Sequence, residues 1–197
     1  MIDLKKHARE IGRHLRNRAY ELTEGGVLIK GGMNALANGM FKDTLYRDGG
    51  ADAQLSPNRV VDQGLVHLLN VTFNGATQVT QWYVGLFVDN VEPQANWTGA
   101  NIVANANELT GYPGNRPAFT VSAATSPSIG NAGSQAMFAF DDEGPYTARG
   151  AFLISVPAKG STTGVLMAAT RFASDRAGLN SPDQLGVQYV LTAADAG

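Results

Sequence analysis

"TQWYVGLFVDN", residues 80–90, decides the fold. Successive side chains of a β-strand point to opposite faces. Trp82, Val84, Leu86 and Val88 therefore share one face, and Tyr83 and Phe87 share the other. Asp89 and Asn90 end the run with turn-forming residues. Gly85 sits in its middle, where a strand glycine marks the close approach of a neighbouring backbone or ring. A strand apolar on both faces belongs inside a layered β body. One face meets the core and the other meets a covering layer.

Similar runs recur on both sides. The pattern predicts strands near 64–73, 80–89, 117–123, 135–141, 147–156, 164–173 and 184–192. "NG" at 74–75, "DDEGP" at 141–145, "KGSTTG" at 159–164 and "NSPD" at 180–183 supply turns between them. "QAMFAF" and "RGAFLIS" are more uniformly apolar, as suits strands covered on both faces. This spacing predicts a mainly β body over 60–197, an antiparallel β-sandwich or jelly roll. The stretch 90–116 is Asn-rich and weakly periodic, and reads as a long loop of the functional kind.

Two further segments precede that body. Leu4, Ala8, Ile11, Leu15 and Leu22 fall on one helical stripe, with Lys5, Lys6, Arg9, Arg13 and Arg16 on the other face. Asp3 would cap this helix, and Gly25-Gly26 would stop it. The expectation is an amphipathic basic helical arm over 1–26. Residues 27–59 read as a linking segment. Within it Val27–Lys30 suggest a short strand, Met33, Leu36, Met40 and Leu45 a second helix weakened by Gly39, and 47–59 a loop.

The chain has 197 residues, 44% of them apolar, enough for one domain with a core plus an appendage. Charged residues make up only 16%, against about 25% in average soluble domains. A surface so poor in charge suits burial against neighbours in an assembly, or an ordinary neutral β domain. The charge is also uneven. Residues 1–20 hold six basic and two acidic residues, net +4, and the rest hold nine basic and fifteen acidic, net −6. A basic arm precedes an acidic body. No apolar run approaches the roughly 20 residues of a membrane span. The basic N-terminus lacks the apolar segment of a signal peptide. The chain is expected to be made and used inside the cell, or built into a particle there.

Catalytic patterns are missing from the sequence. It has no cysteine, so disulfides, thiolate nucleophiles and Cys-based zinc sites are excluded. There is no G-x-S-x-G elbow, Walker loop or G-x-G-x-x-G. His7 and His14 are seven residues apart, too far along a helix to share one ion. Asp141, Asp142 and Glu143 lack the alternating spacing of a calcium loop and read as a solvated turn. Asp89, Glu92 and Glu108 are the carboxylates from which a glycosidase pair would be drawn, and nothing in their spacing brings them together. The arm's basic face could meet phosphates, but without aromatic interleaving an acidic protein surface suits it at least as well.

Several motifs carry a resemblance. "LIKGGMNALANGMF" (28–41), "WYVGLFVDN" (82–90), "NELTGYPGNRPAF" (107–119), "RGAFLIS" and "KGSTTGVLMAATRFASDRAGLNSPDQLGVQYVLT" (149–192) resemble, in the same order, a group of small tailed-bacteriophage virion proteins. The likeness covers roughly 27–192 and leaves out the basic arm. It implies a virion structural protein, in first place a jelly-roll capsid decoration (cement) protein, with a tail or head-fibre module for host-surface recognition as the alternative. The decoration reading implies the major capsid protein as partner, self-association as a homotrimer, a place on the capsid surface, and no enzyme activity, cofactor, small-molecule substrate, membrane or nucleic acid. The contact residues it suggests are Leu4, Lys5, Lys6, Arg9, Ile11, Arg13, Leu15 and Arg16 of the arm. The host-recognition alternative looks to exposed aromatics in the long loop, Trp97 and Tyr112.

Overall fold

The computed structural model describes residues 20–23, 26–29 and 35–195. They fall into two units, one comprising Ala37–Thr192 and the other the described residues before Ala37 and after Thr192. In the smaller unit β1 (Tyr20–Thr23) and β2 (Gly26–Ile29) pair antiparallel, from Tyr20 opposite Ile29 to Thr23 opposite Gly26. Of the arm helix expected over 1–26, the C-terminal end is corrected, since Tyr20–Thr23 form a strand. Tyr20, Thr23, Val27 and Ile29 are aromatic and β-branched residue types, which favour a strand over a helical turn. The arm residues Leu4, Lys5, Lys6, Arg9, Ile11, Arg13, Leu15 and Arg16 lie outside the described residues.

The larger unit is built on two antiparallel sheets. Its elements are β3 (Ala35–Arg47), β4 (Gly50–Pro57), β5 (Arg59–Val60), helix α1 (Asp62–Phe73), β6 (Trp82–Phe87), β7 (Ala118–Phe119), β8 (Ser128–Gly130), β9 (Ala136–Ala139), β10 (Tyr146–Ile154), β11 (Leu166–Leu179) and β12 (Gln184–Asp195). One sheet runs β5-β11-β10-β6-β7; the other runs β4-β3-β12-β8, with β9 also on β12. The buried Asn131 sits between β8 and β9. Its Oδ1 accepts from the Tyr189 N–H at 2.7 Å and its Nδ2 donates to the Val187 carbonyl at 3.1 Å. One side chain thus continues the ladder on β12 where two short strands leave a gap.

The expectation for residues 80–90 holds. Val84 and Leu86 enter a cluster in which Leu153, Met167 and Phe172 of the first sheet meet Phe41, Phe138, Leu185, Val187 and Tyr189 of the second. Phe87 faces the other way, into a cluster with Phe152, Ile154, Val61, Trp97, Ile102 and Ala106. Gly85 pairs with Phe152 and Gly150 pairs with Phe87 across the β6–β10 ladder. A Cβ at Gly85 would stand 2.1 Å from the Phe152 ring, and one at Gly150 would stand 2.1 Å from the Phe87 ring. Each phenyl ring lies over the glycine opposite it, which fixes the register from both strands.

Three sequence expectations are overturned. The helix over 33–45 is strand β3. Its alternation is Phe41, Asp43 and Leu45 inward, and a wholly buried aspartate conceals that period. The loop over 47–59 is mostly β4, joined to β3 by a hairpin in which Asp48 and Gly49 have φ of 52° and 76°. "RDGG" is thus an Asp-Gly turn of the kind that suits a twisted hairpin. The strand over 64–73 is helix α1. An apolar run of this sort does not separate helix from strand by period alone. Asp62 lies in the first turn, where an acidic residue suits the helix dipole.

Gly85→Ala is expected to cost about 1–3 kcal/mol through overpacking. In chemical denaturation, pairing it with Phe152→Ala should cost less than the two single changes added, because the second removes the clash of the first. An unchanged midpoint for Gly85→Ala would show that the ring is not seated there.

Candidate interaction surface

Trp97 and Tyr112 are buried, at 6% and 3% exposure, which corrects the expectation of exposed loop aromatics. The segment between β6 and β7 covers the outer face of the first sheet. Thr98 caps a helical turn at Gly99–Asn101 that runs on into a π-helical turn, Ile102–Ala106. Ile102, Ala106 and Trp97 then fill the second cluster. A long weakly periodic stretch conceals such packing, since its apolar residues match neither a helical nor a strand repeat.

An ion pair holds this cover down. Arg116 Nε and Nη2 donate to the two carboxylate oxygens of Glu108, each at 2.7 Å, and the two side chains are 0% and 2% exposed. Arg116 Nη1 donates to the Val156 carbonyl at 3.0 Å, and the Gly160 N–H donates to Glu108 at 2.6 Å. The guanidinium also lies over the Phe152 ring, 5.2 Å from its centroid. Lys159 Nζ donates to the carbonyls of Thr110 and Tyr112 and stands 4.3 Å over the Tyr112 ring. Burial, with Glu108 nearby, pushes the Tyr112 hydroxyl well above its ordinary pKa. Glu108 is thus spent on structure.

Several other charges are also engaged in structure. Asp43 and Asp52 both receive Arg176 of β11, joining the two sheets at one corner. Gln54 completes that corner by accepting from the Ser174 N–H and donating to its carbonyl. Burial raises the Asp43 pKa despite Arg176 and Gln54. Arg47 grips Asp183 through two nitrogens, which lowers the Asp183 pKa. Arg149 and Arg171 share Asp175 and lower it likewise. Asp141 accepts from the Tyr146 hydroxyl and the Glu143 N–H, so the acidic run is a capped turn, and the bond from Tyr146 pushes that hydroxyl up to about 12. Asp89 and Glu92 are exposed. No group of three His, Asp or Glu that could hold a metal occurs among the described residues.

A second region of the body carries no Asp, Glu, Lys or Arg. Residues 63–88 and 117–140 are free of them, and so is the whole lining of a cavity of about 390 Å³ that these segments share. Leu68 and Val71 of α1, Trp82, Phe119, Val121 and Leu191 supply its apolar walls. His67 closes one side, edge-on to Trp82 at 5.7 Å. On the far side of the helix Val66, Leu69 and Phe73 are 55%, 58% and 81% exposed. Their spacing of three and four is a helical stripe facing solvent. Reading this segment as a strand conceals the stripe, although the spacing is plain in the sequence.

These features define a mainly β protein of two antiparallel sheets, with one region tied by ion pairs and another apolar and uncharged. No protein-family model matches the chain, and no curated protein matches it.

Removing one member of the buried pair, as in Glu108→Ala, is expected to cost about 3–5 kcal/mol, because the guanidinium stays buried without its partner. The double change Glu108→Leu with Arg116→Met should cost clearly less than Glu108→Ala. A small loss for Glu108→Ala in denaturant titration would mean the pair is solvated. For Asp183 the lowered pKa sets the sign. Its contribution is complete above the unfolded value of about 3.9 and disappears as pH falls through the lowered value. Asp183→Asn should therefore be less stable than wild type at pH 7 and match it near pH 2. A gap of equal size at both pH values would refute this assignment.

Proposed function

We propose that this chain is an assembly protein that works by protein–protein contact: a capsid decoration protein of a tailed-phage particle, its two-sheet body a variant of the jelly roll. The observation that carries the reading is the uncharged cavity between α1, β6 and β7. Protein interface cores are depleted in charge and enriched in aromatic residues, and large exposed apolar patches mark interaction sites. A shell subunit fits such a site by inserting an apolar side chain. The sequence motifs support the particle, since their order resembles that of small virion proteins. Repetition over a shell turns many modest contacts into strong attachment. The arm's Lys5, Lys6, Arg9, Arg13 and Arg16 would add contact with acidic surface of the major capsid protein or of a neighbouring copy, orienting the approach.

The host-recognition alternative loses its motive, because Trp97 and Tyr112 are core residues. No substrate or cofactor enters the proposal.

Quantitative mass spectrometry of purified particles tests it. About one copy per shell subunit is expected. Purified chain should rebind stripped shells, and Val121→Asp at the cavity mouth should reduce occupancy at least about tenfold, which corresponds to about 1.4 kcal/mol. A handful of copies per particle would assign the chain to the tail, and full occupancy by the variant would remove the cavity from the contact.

A further inference from the structure

The sequence holds two Asn-Gly pairs, Asn38-Gly39 and Asn74-Gly75. Asparagine is a labile residue, most of all before glycine, where no Cβ shields the next backbone nitrogen from the asparagine side chain. The fold treats the two pairs in opposite ways. Asn38-Gly39 lies within strand β3. The Gly39 carbonyl accepts from the Asn58 N–H at 3.3 Å, and a Cβ at Gly39 would collide with the Asn58 side chain and the Tyr189 ring. That backbone cannot turn without disturbing the sheet. Asn74-Gly75 instead closes helix α1. Residues 73–78 are all exposed, and 75–81 belong to no helix or strand. Gly75 has φ of 63°, and a Cβ there would meet nothing within 4 Å. The N–H groups of Asn74 and Ala76 both donate to the Asn70 carbonyl, at 3.0 and 3.1 Å. That of Gly75, between them, has no backbone acceptor among the described residues.

We propose that Asn74 is a self-modifying site, converted in the folded chain to aspartate and isoaspartate, and that the charge so created weakens attachment at the neighbouring cavity. Hydroxide takes the proton of the Gly75 N–H, and the nitrogen attacks Asn74 Cγ. The bond from Gly75 N to Cγ forms and the Cγ–Nδ2 bond breaks. The leaving nitrogen takes a proton from water and departs as ammonia. A second water opens the cyclic imide, at Cγ to give aspartate or at the main-chain carbonyl to give isoaspartate. In sum one water is consumed and one ammonia released, and nothing is oxidised or reduced. Ring closure needs rotation about the Asn74 backbone, which the open surroundings of Gly75 permit.

The position gives the reaction its consequence. Residues 63–88 hold no Asp, Glu, Lys or Arg, so the product carboxylate is the first charge in that region. It arises at the C-terminal end of a helix, where the macrodipole disfavours a negative charge. Gln78 and Val79, just beyond it, line the cavity. A carboxylate at that rim loses hydration when an apolar partner closes over it, which costs far more than covering an amide. The effect on attachment rests on the cavity being the shell contact; the conversion itself does not. Attachment would then weaken as the protein ages.

The conversion is tested on the purified full chain, incubated at mildly alkaline pH in heavy-oxygen water and followed by peptide mapping. In the native chain Asn74 should take up the label at least about tenfold faster than Asn38, and faster as hydroxide rises. In urea both positions should convert at similar rates, because only the fold protects Asn38. A native chain in which Asn74 stays intact, or in which both positions convert equally, would overturn the site. Occupancy of stripped shells tests the consequence. Asn74→Asp should bind several-fold less than wild type, and Asn74→Gln should bind as wild type with an unchanged melting temperature. Full occupancy by Asn74→Asp, with Val121→Asp still excluded, would overturn the effect of the charge and keep the cavity as the contact. Full occupancy by both variants would overturn the cavity reading and the effect on attachment together.

Discussion

The Phe152 ring is where the body is joined. It lies over Gly85 of β6, in the gap left by the missing side chain, and it carries the Arg116 guanidinium. The first contact sets the register of the two strands at the middle of one sheet. The second ties that sheet to the segment covering it. Arg116 is held by Glu108, and Glu108 is held by the backbone of Gly160 beyond β10. One ring therefore links strand pairing, cover and charge. Each link depends on Gly85 having no side chain.

Charge is distributed in the body according to task. Arginine side chains close structural gaps: Arg176 joins the sheets at Asp43 and Asp52, Arg47 holds Asp183, and Arg116 pins the cover. A guanidinium suits this work because its planar fork meets a carboxylate at two points. The region around α1 has no such groups. Its cavity and exposed stripe are largely apolar, and their polar neighbours are His67 and uncharged threonine, glutamine and asparagine. Desolvating such a surface costs little compared with desolvating a charge. That difference separates the region where charge holds the fold from the uncharged region around α1.

Much was legible in the sequence where structure is local. Alternation in 82–88 and the role of Gly85 followed from the two-residue period, and turn residues marked the later strands. The Asp-Gly hairpin at 48–49 and the three-four spacing of Val66, Leu69 and Phe73 were also written there, but stronger competing patterns hid them. Spacing of Met33, Leu36 and Met40 imitated a helix, and an unbroken apolar run imitated a strand.

The remainder was decided by partners distant in the chain. Asp43 points into the body because Arg176, 133 residues away, meets it there, and no local pattern announces a buried carboxylate. Trp97 and Tyr112 are enclosed because the Glu108–Arg116 pair draws their segment onto the sheet. Local sequence sets backbone period through side-chain sterics, and these act between near neighbours. Burial of a polar or weakly periodic segment depends on which remote group satisfies it, and that is settled only when the chain closes on itself.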